Sequence, residues 1–233
     1  MNYTLLAQND YVGISFWLAT AIMLASTIFF FIERQDVSKK WKTSLTIAGL
    51  VTGMAFWHYL YMRGMWVETG SSPTVFRYID WFITVPLQVI EFYLIIAAVA
   101  IIRVQVFWKL LIASIIMLVG GYLGETGIWT TGLGFGVGFI AWLYIIYEVF
   151  FGETAKANAT SNNKASQTAF HTIKWIVTVG WAIYPLGYIL GYFGNLSNLN
   201  TLNIIYNLAD LINKTAFGLA IWAAAKMDTQ VSK

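Results

Sequence analysis

Arg77-Tyr78-Ile79-Asp80-Trp81-Phe82-Ile83-Thr84-Val85-Pro86-Leu87-Gln88-Val89-Ile90-Glu91 is the stretch whose reading decides the fold. Wound at 100° per residue, Asp80, Thr84, Gln88, Glu91 and Arg77 fall at about 0°, 40°, 80°, 20° and 60°. One stripe therefore carries every strongly polar side chain, and the remaining faces are apolar. Asp80 and Glu91 lie about 17 Å apart along the axis, more than half the thickness of a bilayer's hydrocarbon core. Two carboxyls so far apart cannot serve one small substrate as paired acid and base, which argues against a hydrolase. They can take and give protons at opposite ends of something buried between them.

Outward from this helix the chain is lipid-like. Of its 233 residues 58% are hydrophobic and 11% charged, under half the charged share of an ordinary soluble domain. Spanning a bilayer takes about 20 apolar residues, and seven candidate spans use nearly the whole chain: roughly 11–32, 42–64, 74–98, 104–124, 128–151, 169–193 and 198–226. The expectation is one all-α membrane domain over residues 1–233, a bundle of seven transmembrane helices. The polar stretch Gly152–Gln167 reads as a mobile connection. The glycines from Gly132 to Gly138 fall inside a span and read as helix packing. Glu125 and Glu148, near span ends, read as solvated interface positions, with a release route open to Glu125.

The basic residues set the orientation. With the N-terminus outside, one face receives Arg34, Lys39, Lys40, Lys42, Arg103, Lys109, Lys156, Lys164, Lys174, Lys226 and Lys233, and the other only Arg63. That asymmetry predicts an odd number of spans, an extracellular or periplasmic N-terminus and a cytoplasmic C-terminus. Tyr11, Trp17, Trp41, Trp66, Trp108 and Trp129 cluster near span ends as an interfacial belt would. A net charge of +3, scattered over short loops, gives no nucleic-acid surface. Cys is absent, so disulfides, thiolate metal sites and cysteine nucleophiles are excluded, and no metal site is expected. Met1–Asp10 has none of the features of a secretory signal peptide, so either there is none or it was removed.

Arg77 and Lys214 belong to no loop. Lys214 stands about 12 residues, or roughly 18 Å, from the end of its helix, too deep for its stem to reach the interface. A charge at that depth costs several kcal/mol and must be paired, neutral or covalently used. Asp210 lies one turn away on the same face. Two readings stay open at this point: a buried ion pair that sets helix register, or a lysine whose amine forms a Schiff base.

The segment Arg77-Tyr78-Ile79-Asp80-Trp81 with Thr84, Pro86 and Glu91 resembles the microbial rhodopsins, most closely the proteorhodopsins. Trp181-Ala182-Ile183-Tyr184-Pro185 is similar to that family's retinal-pocket signature, and Asp210-Leu211-Ile212-Asn213-Lys214 to its Schiff-base segment. The resemblance implies that Lys214 binds all-trans retinal as a protonated Schiff base. Asp80 would be counterion and proton acceptor, Asp210 the second counterion, Arg77 a cation on the extracellular side, Thr84 a hydrogen-bonding partner and Glu91 the proton donor. Trp81, Trp181 and Tyr184 would clamp the polyene, with Trp142, Tyr188 and Tyr206 as further pocket residues and Pro86 and Pro185 shaping floor and wall. Chloride pumps replace the acceptor aspartate and sodium pumps carry a different acceptor triad, and this chain resembles neither. His58, 22 residues before Asp80 on the preceding helix, matches the family's histidine partner of the acceptor.

The function implied is a light-driven outward proton pump in a bacterial inner membrane, multi-pass, with lipid and protons as its partners, and no enzyme. The alternatives are a sensory rhodopsin signalling through a membrane transducer, and a cofactor-free transporter using the same ionisable residues. The copy number is open, although ring-shaped homo-oligomers are common in the resembling family. Gln88 resembles the glutamine of the blue-absorbing class. Excitation moves positive charge along the polyene, so a polar neighbour stabilises the two states unequally. Gln88→Leu is expected to move the absorption maximum to longer wavelength; an unmoved maximum in the visible spectrum would defeat the assignment.

Overall fold

The computed structural model describes residues 6–194 and 199–231. The connection proposed through Asn198, and Lys233, lie outside them. The elements are all helical: α1 (Tyr11–Glu33), α2 (Lys42–Thr69), α3 (Thr74–Ala97), α4 (Val104–Glu125), α5 (Thr131–Phe150), α6 (Glu153–Thr160), α7 (Lys164–Trp175), α8 (Ile183–Tyr188) and α9 (Leu199–Val231). Short 3-10 turns at Arg34–Asp36 and Lys39–Trp41 join α1 to α2. With α7 and α8 taken together as one broken span, the long helices make the seven-helix bundle that the hydropathy pattern predicts.

Burial is inverted relative to a soluble protein. Large apolar side chains such as Ile112, Ile140 and Ile212 are exposed, as a lipid-facing surface requires, whereas Arg77, Asp80, Thr84, Gln88 and Glu91 are each at most 2% exposed. The predicted polar stripe of α3 therefore faces the middle of the bundle. Hydropathy and length alone pick out five segments as spans, and α2 and α9 are not among them. Both carry inward-facing polar residues, His58 on α2 and Asn203, Asn207, Asp210, Asn213 and Lys214 on α9, all buried.

The basic loops gather at one end. Lys40 meets Asp228 at 2.7 Å, Lys226 meets Glu33 at 2.9 Å and Arg103 meets Glu153 at 2.5 Å. At that end the structure corrects four expectations. Gly152–Gln167 is mostly helical, because the Glu148 carboxylate accepts from the first backbone N–H groups of α6, Glu153 at 2.8 Å and Thr154 at 3.1 Å. Asn163 likewise caps α7 by accepting from the Ser166 N–H at 2.8 Å, so this span starts five residues before the expected position 169. Glu148 is accordingly buried, not solvated. Trp41, expected in the interfacial belt, is fully enclosed, its indole N–H turned inward to Asp228.

The sixth span bends for identifiable reasons. Pro185 has no N–H to give the Trp181 carbonyl, which takes the Tyr184 N–H at 3.1 Å instead. That leaves the Gly180 carbonyl without its helical donor, and the Asn213 side chain of α9 supplies one at 3.1 Å. Upstream the Trp181 N–H reaches back five residues to Ile176, at 3.0 Å, which releases the Val177 carbonyl. The Trp142 indole donates to it at 3.0 Å. Each backbone break thus draws a side chain from a neighbouring helix, and both side chains line the same cavity.

Helices α4 and α5 meet backbone to backbone. A Cβ at Gly134 would lie 2.4 Å from the Cα of Gly124, and one at Gly138 3.0 Å from the Met117 carbonyl. Gly132 and Gly136 have open space, so the packing role predicted for the whole glycine run belongs to alternate members of it. Gly134→Val should force the helices apart and cost about 1–3 kcal/mol, read as a lowered thermal midpoint, while Gly136→Ala should leave it nearly unchanged. Equal midpoints for the two would contradict this packing.

Candidate functional site

The site is built from the inward faces of α2, α3, the sixth span and α9. Lys214 is 3% exposed, and its Nζ lies 2.6 Å from Asp80 Oδ2 and 2.9 Å from Asp210 Oδ2. The i, i+4 spacing on α9 supplies Asp210, and α3 brings Asp80 from the opposite side. Adjacent residues of α2 then serve the two carboxylates separately. His58 Nδ1 stands 3.4 Å from Asp80 Oδ1, an oxygen with no hydrogen bond of its own, and Tyr59 donates its hydroxyl to Asp210 Oδ2 at 2.8 Å. Asp210 also accepts from the Tyr184 hydroxyl at 2.5 Å and the Trp81 indole at 3.2 Å. Thr84 donates to the backbone carbonyl of Asp80 at 3.0 Å and faces its carboxylate at 3.5 Å.

Arg77 is one turn away, 2% exposed, and donates to Asn203 at 3.0 Å and Asn207 at 3.2 Å. Its guanidinium also lies over the rings of Tyr206 and Phe16, at 5.3 and 5.9 Å. Two cationic and two anionic side chains thus occupy one buried region. In a low-dielectric interior an arrangement of this kind is stable only when the charges offset one another and the remaining lone pairs are hydrogen-bonded.

Lys214 lines a cavity enclosed by residues of α3, α4, α5, the sixth span and α9. Its wall includes Trp81, Gln88, Trp142, Trp181, Tyr184, Pro185, Tyr188, Tyr206, Asp210 and Lys214. Every pocket residue named from the sequence is therefore on it except Pro86, which is buried in α3 but lines no part of the wall. Glu125 also reaches the wall, where it accepts from the hydroxyls of Tyr78 and Tyr192, each at 2.9 Å, so it is not a free interface carboxylate. Gln88 directs its amide to the Asn213 carbonyl at 3.5 Å.

Residues 10–227 match the family described as Bacteriorhodopsin-like protein. The chain belongs to that family. Among its curated relatives, the green-light absorbing proteorhodopsin of Gamma-proteobacterium EBAC31A08 is 56% identical over 221 residues, covering 94% of this chain and 88% of the relative. The blue-light absorbing proteorhodopsin of Gamma-proteobacterium Hot 75m4 is 55% identical over 219 residues, covering 93% and 87%. The crystal structure of the blue light-absorbing proteorhodopsin from Med12 superposes with a TM-score of 0.82 at 68% identity, covering 94% of this chain and 99% of that one. This bacteriorhodopsin-like chain is thus a multi-pass membrane protein, similar to proteorhodopsins of both colours.

Membership of the family implies a retinal chromophore, and the residues present fit one. An enclosed primary amine lines a largely apolar cavity walled by indole and phenol rings, and the carboxylates that flank the amine can balance a cation held there. Among the described residues no cluster of side chains could hold a metal ion.

The partners that sequence reasoning missed are Tyr59, Asn203, Asn207 and Asn213. For the α9 set a signal was present: positions 203, 207, 210 and 214 repeat at helical spacing, a second polar stripe facing the first. Tyr59 had none, since an aromatic beside His58 reads as packing. Tyr59→Phe removes one donor from a buried carboxylate and should cost about 1.5–3 kcal/mol, measured as a fall in the thermal midpoint. No change in that midpoint would show that Asp210 does not depend on this bond.

Proposed function

We propose that this bacteriorhodopsin-like chain is a light-driven proton pump of the proteorhodopsin kind that moves protons outward across a bacterial inner membrane. The activity is transport, so no enzymatic turnover of a substrate bond is involved. Lys214 would hold all-trans retinal as a protonated Schiff base, and the chemistry the bound chromophore supplies is light-driven isomerisation. The remaining work falls to side chains. Asp80, 2.6 Å from the amine and free of strong donors on Oδ1, is placed to accept a proton. Asp210, held by Tyr59, Tyr184 and Trp81, is placed to remain the fixed negative charge. Arg77 stands on the far side of Asp80 from Glu91 in the α3 stripe, where a cation discourages return of a released proton.

The observation that carries the reading is Glu91. It is 0% exposed, the Ser44 hydroxyl faces it, and it shares a helical face with Asp80 about 17 Å away. An enclosed carboxyl on that face can hold a proton and pass it toward the amine, which is the work of a proton donor. A photosensor has no use for such a group in that place. Gln88 on the slot wall supports a blue-absorbing pigment. The test is illumination of cells that express the chain with retinal. The medium should acidify, an uncoupler should abolish the signal, and Glu91→Gln should slow recovery of the pigment after a flash by about 10²-fold or more, the usual size of a lost general acid. A coloured protein that leaves the medium pH unchanged, and recovers over seconds with or without Glu91, would favour the sensory reading.

A further inference from the structure

Asp228 is a buried carboxylate that the pumping residues above do not use. It sits near the cytoplasmic end of α9, 7% exposed, and residues of two separate segments bond to it. Trp41 donates its indole N–H at 2.8 Å, Lys40 meets it at 2.7 Å, and Asn163 donates its side-chain amide at 2.7 Å. Burial pushes its carboxyl up, but the hydrogen bonds from Lys40, Trp41 and Asn163 outweigh burial and hold it below the usual aspartate value.

What these bonds fasten are the chain segments that lead into the cytoplasmic side of Glu91. Three residues after the fully enclosed Trp41, in the first turn of α2, comes Ser44, whose hydroxyl faces Glu91. Asn163 is the capping residue of α7, whose first turn donates from Ser166 to the Ile95 carbonyl, one turn beyond Glu91 on α3. The span that α7 begins is already broken at Ile176 and Pro185, which makes its head easier to displace than an unbroken helix. Because Glu91 is shut off from solvent, it can regain a proton from the cytoplasm only after something in this cover moves.

We propose that Asp228 is a positioning residue for proton uptake, fastening Trp41 of the α2 start and Asn163 at the head of α7 over Glu91, so that its bonds set how fast Glu91 is recharged. This rests on the pump reading given above. The test measures flash-induced proton uptake with a soluble pH dye on the full-length, retinal-loaded protein. Asn163→Ser keeps a helix cap but is too short to reach Asp228, and Trp41→Phe keeps the ring but removes the N–H. In each, uptake should become about three- to tenfold faster, as expected when the closed cover loses one hydrogen bond, with the visible maximum unmoved. A purely structural tie would lower the thermal midpoint and leave the uptake time alone. Uptake unchanged or slower in whichever variants retain the visible band would overturn the proposal. Absence of any light-induced uptake in the unmodified protein would instead overturn the pump reading on which it stands.

Discussion

An ammonium held between two carboxylates in an enclosed interior is the constraint on which the rest of the structure depends. Lys214 cannot reach either membrane surface, so its charge must be balanced where it stands, at 2.6 Å from Asp80 and 2.9 Å from Asp210. Neither aspartate can be buried as a bare anion, which brings in Tyr59, Tyr184 and Trp81 as donors to Asp210, and Thr84 and His58 as neighbours of the Asp80 carboxylate. Arg77, the second inward cation, takes the side-chain oxygens of Asn203 and Asn207. Helix positions follow from these requirements, since apolar contact between helices in lipid gives little preference for one rotation over another.

The two aspartates are held differently, which fits the division of work proposed for them. Asp210 is anchored by three uncharged donors besides the amine, whereas Asp80 keeps one oxygen that meets only the His58 ring. The more weakly bonded carboxylate is the better proton acceptor and the more strongly bonded one the better permanent anion. Backbone chemistry serves the same end. Pro185 and the wide turn at Ile176–Gly180 free two carbonyls, and the side chains that satisfy them, Asn213 and Trp142, are thereby fixed on the cavity wall. A break in the sixth helix is thus part of how the slot is shaped.

Much of this was legible in the sequence because a membrane helix with polar residues cannot hide its inward face. The α3 stripe and the Asp210–Lys214 turn followed from helical period and depth, while the aromatic wall and the roles of all these residues came only from the resemblance. Other features depend on neighbours that one helix does not show. Glu148 sits near a span end like any solvated glutamate, but the chain turns at Gly152 and presents the N–H groups of α6 to it. Gly152–Gln167 has a loop-like composition, yet Glu148 and Asn163 cap two helices within it. Pro86 shares a helix with the pocket residues, but it lines no part of the wall. Trp41 looked like a belt residue until a buried carboxylate 187 positions away claimed its N–H.

Lys214 is proposed to carry the chromophore on its enclosed amine, with the flanking carboxylates keeping the cationic form stable. Absorption spectra of the purified protein and of Lys214→Ala, each mixed with retinal, test this. An intense visible band is expected for the first, and for the second only the near-ultraviolet absorption of the free aldehyde. A visible band of equal strength in the alanine variant, or none in either protein, would contradict it.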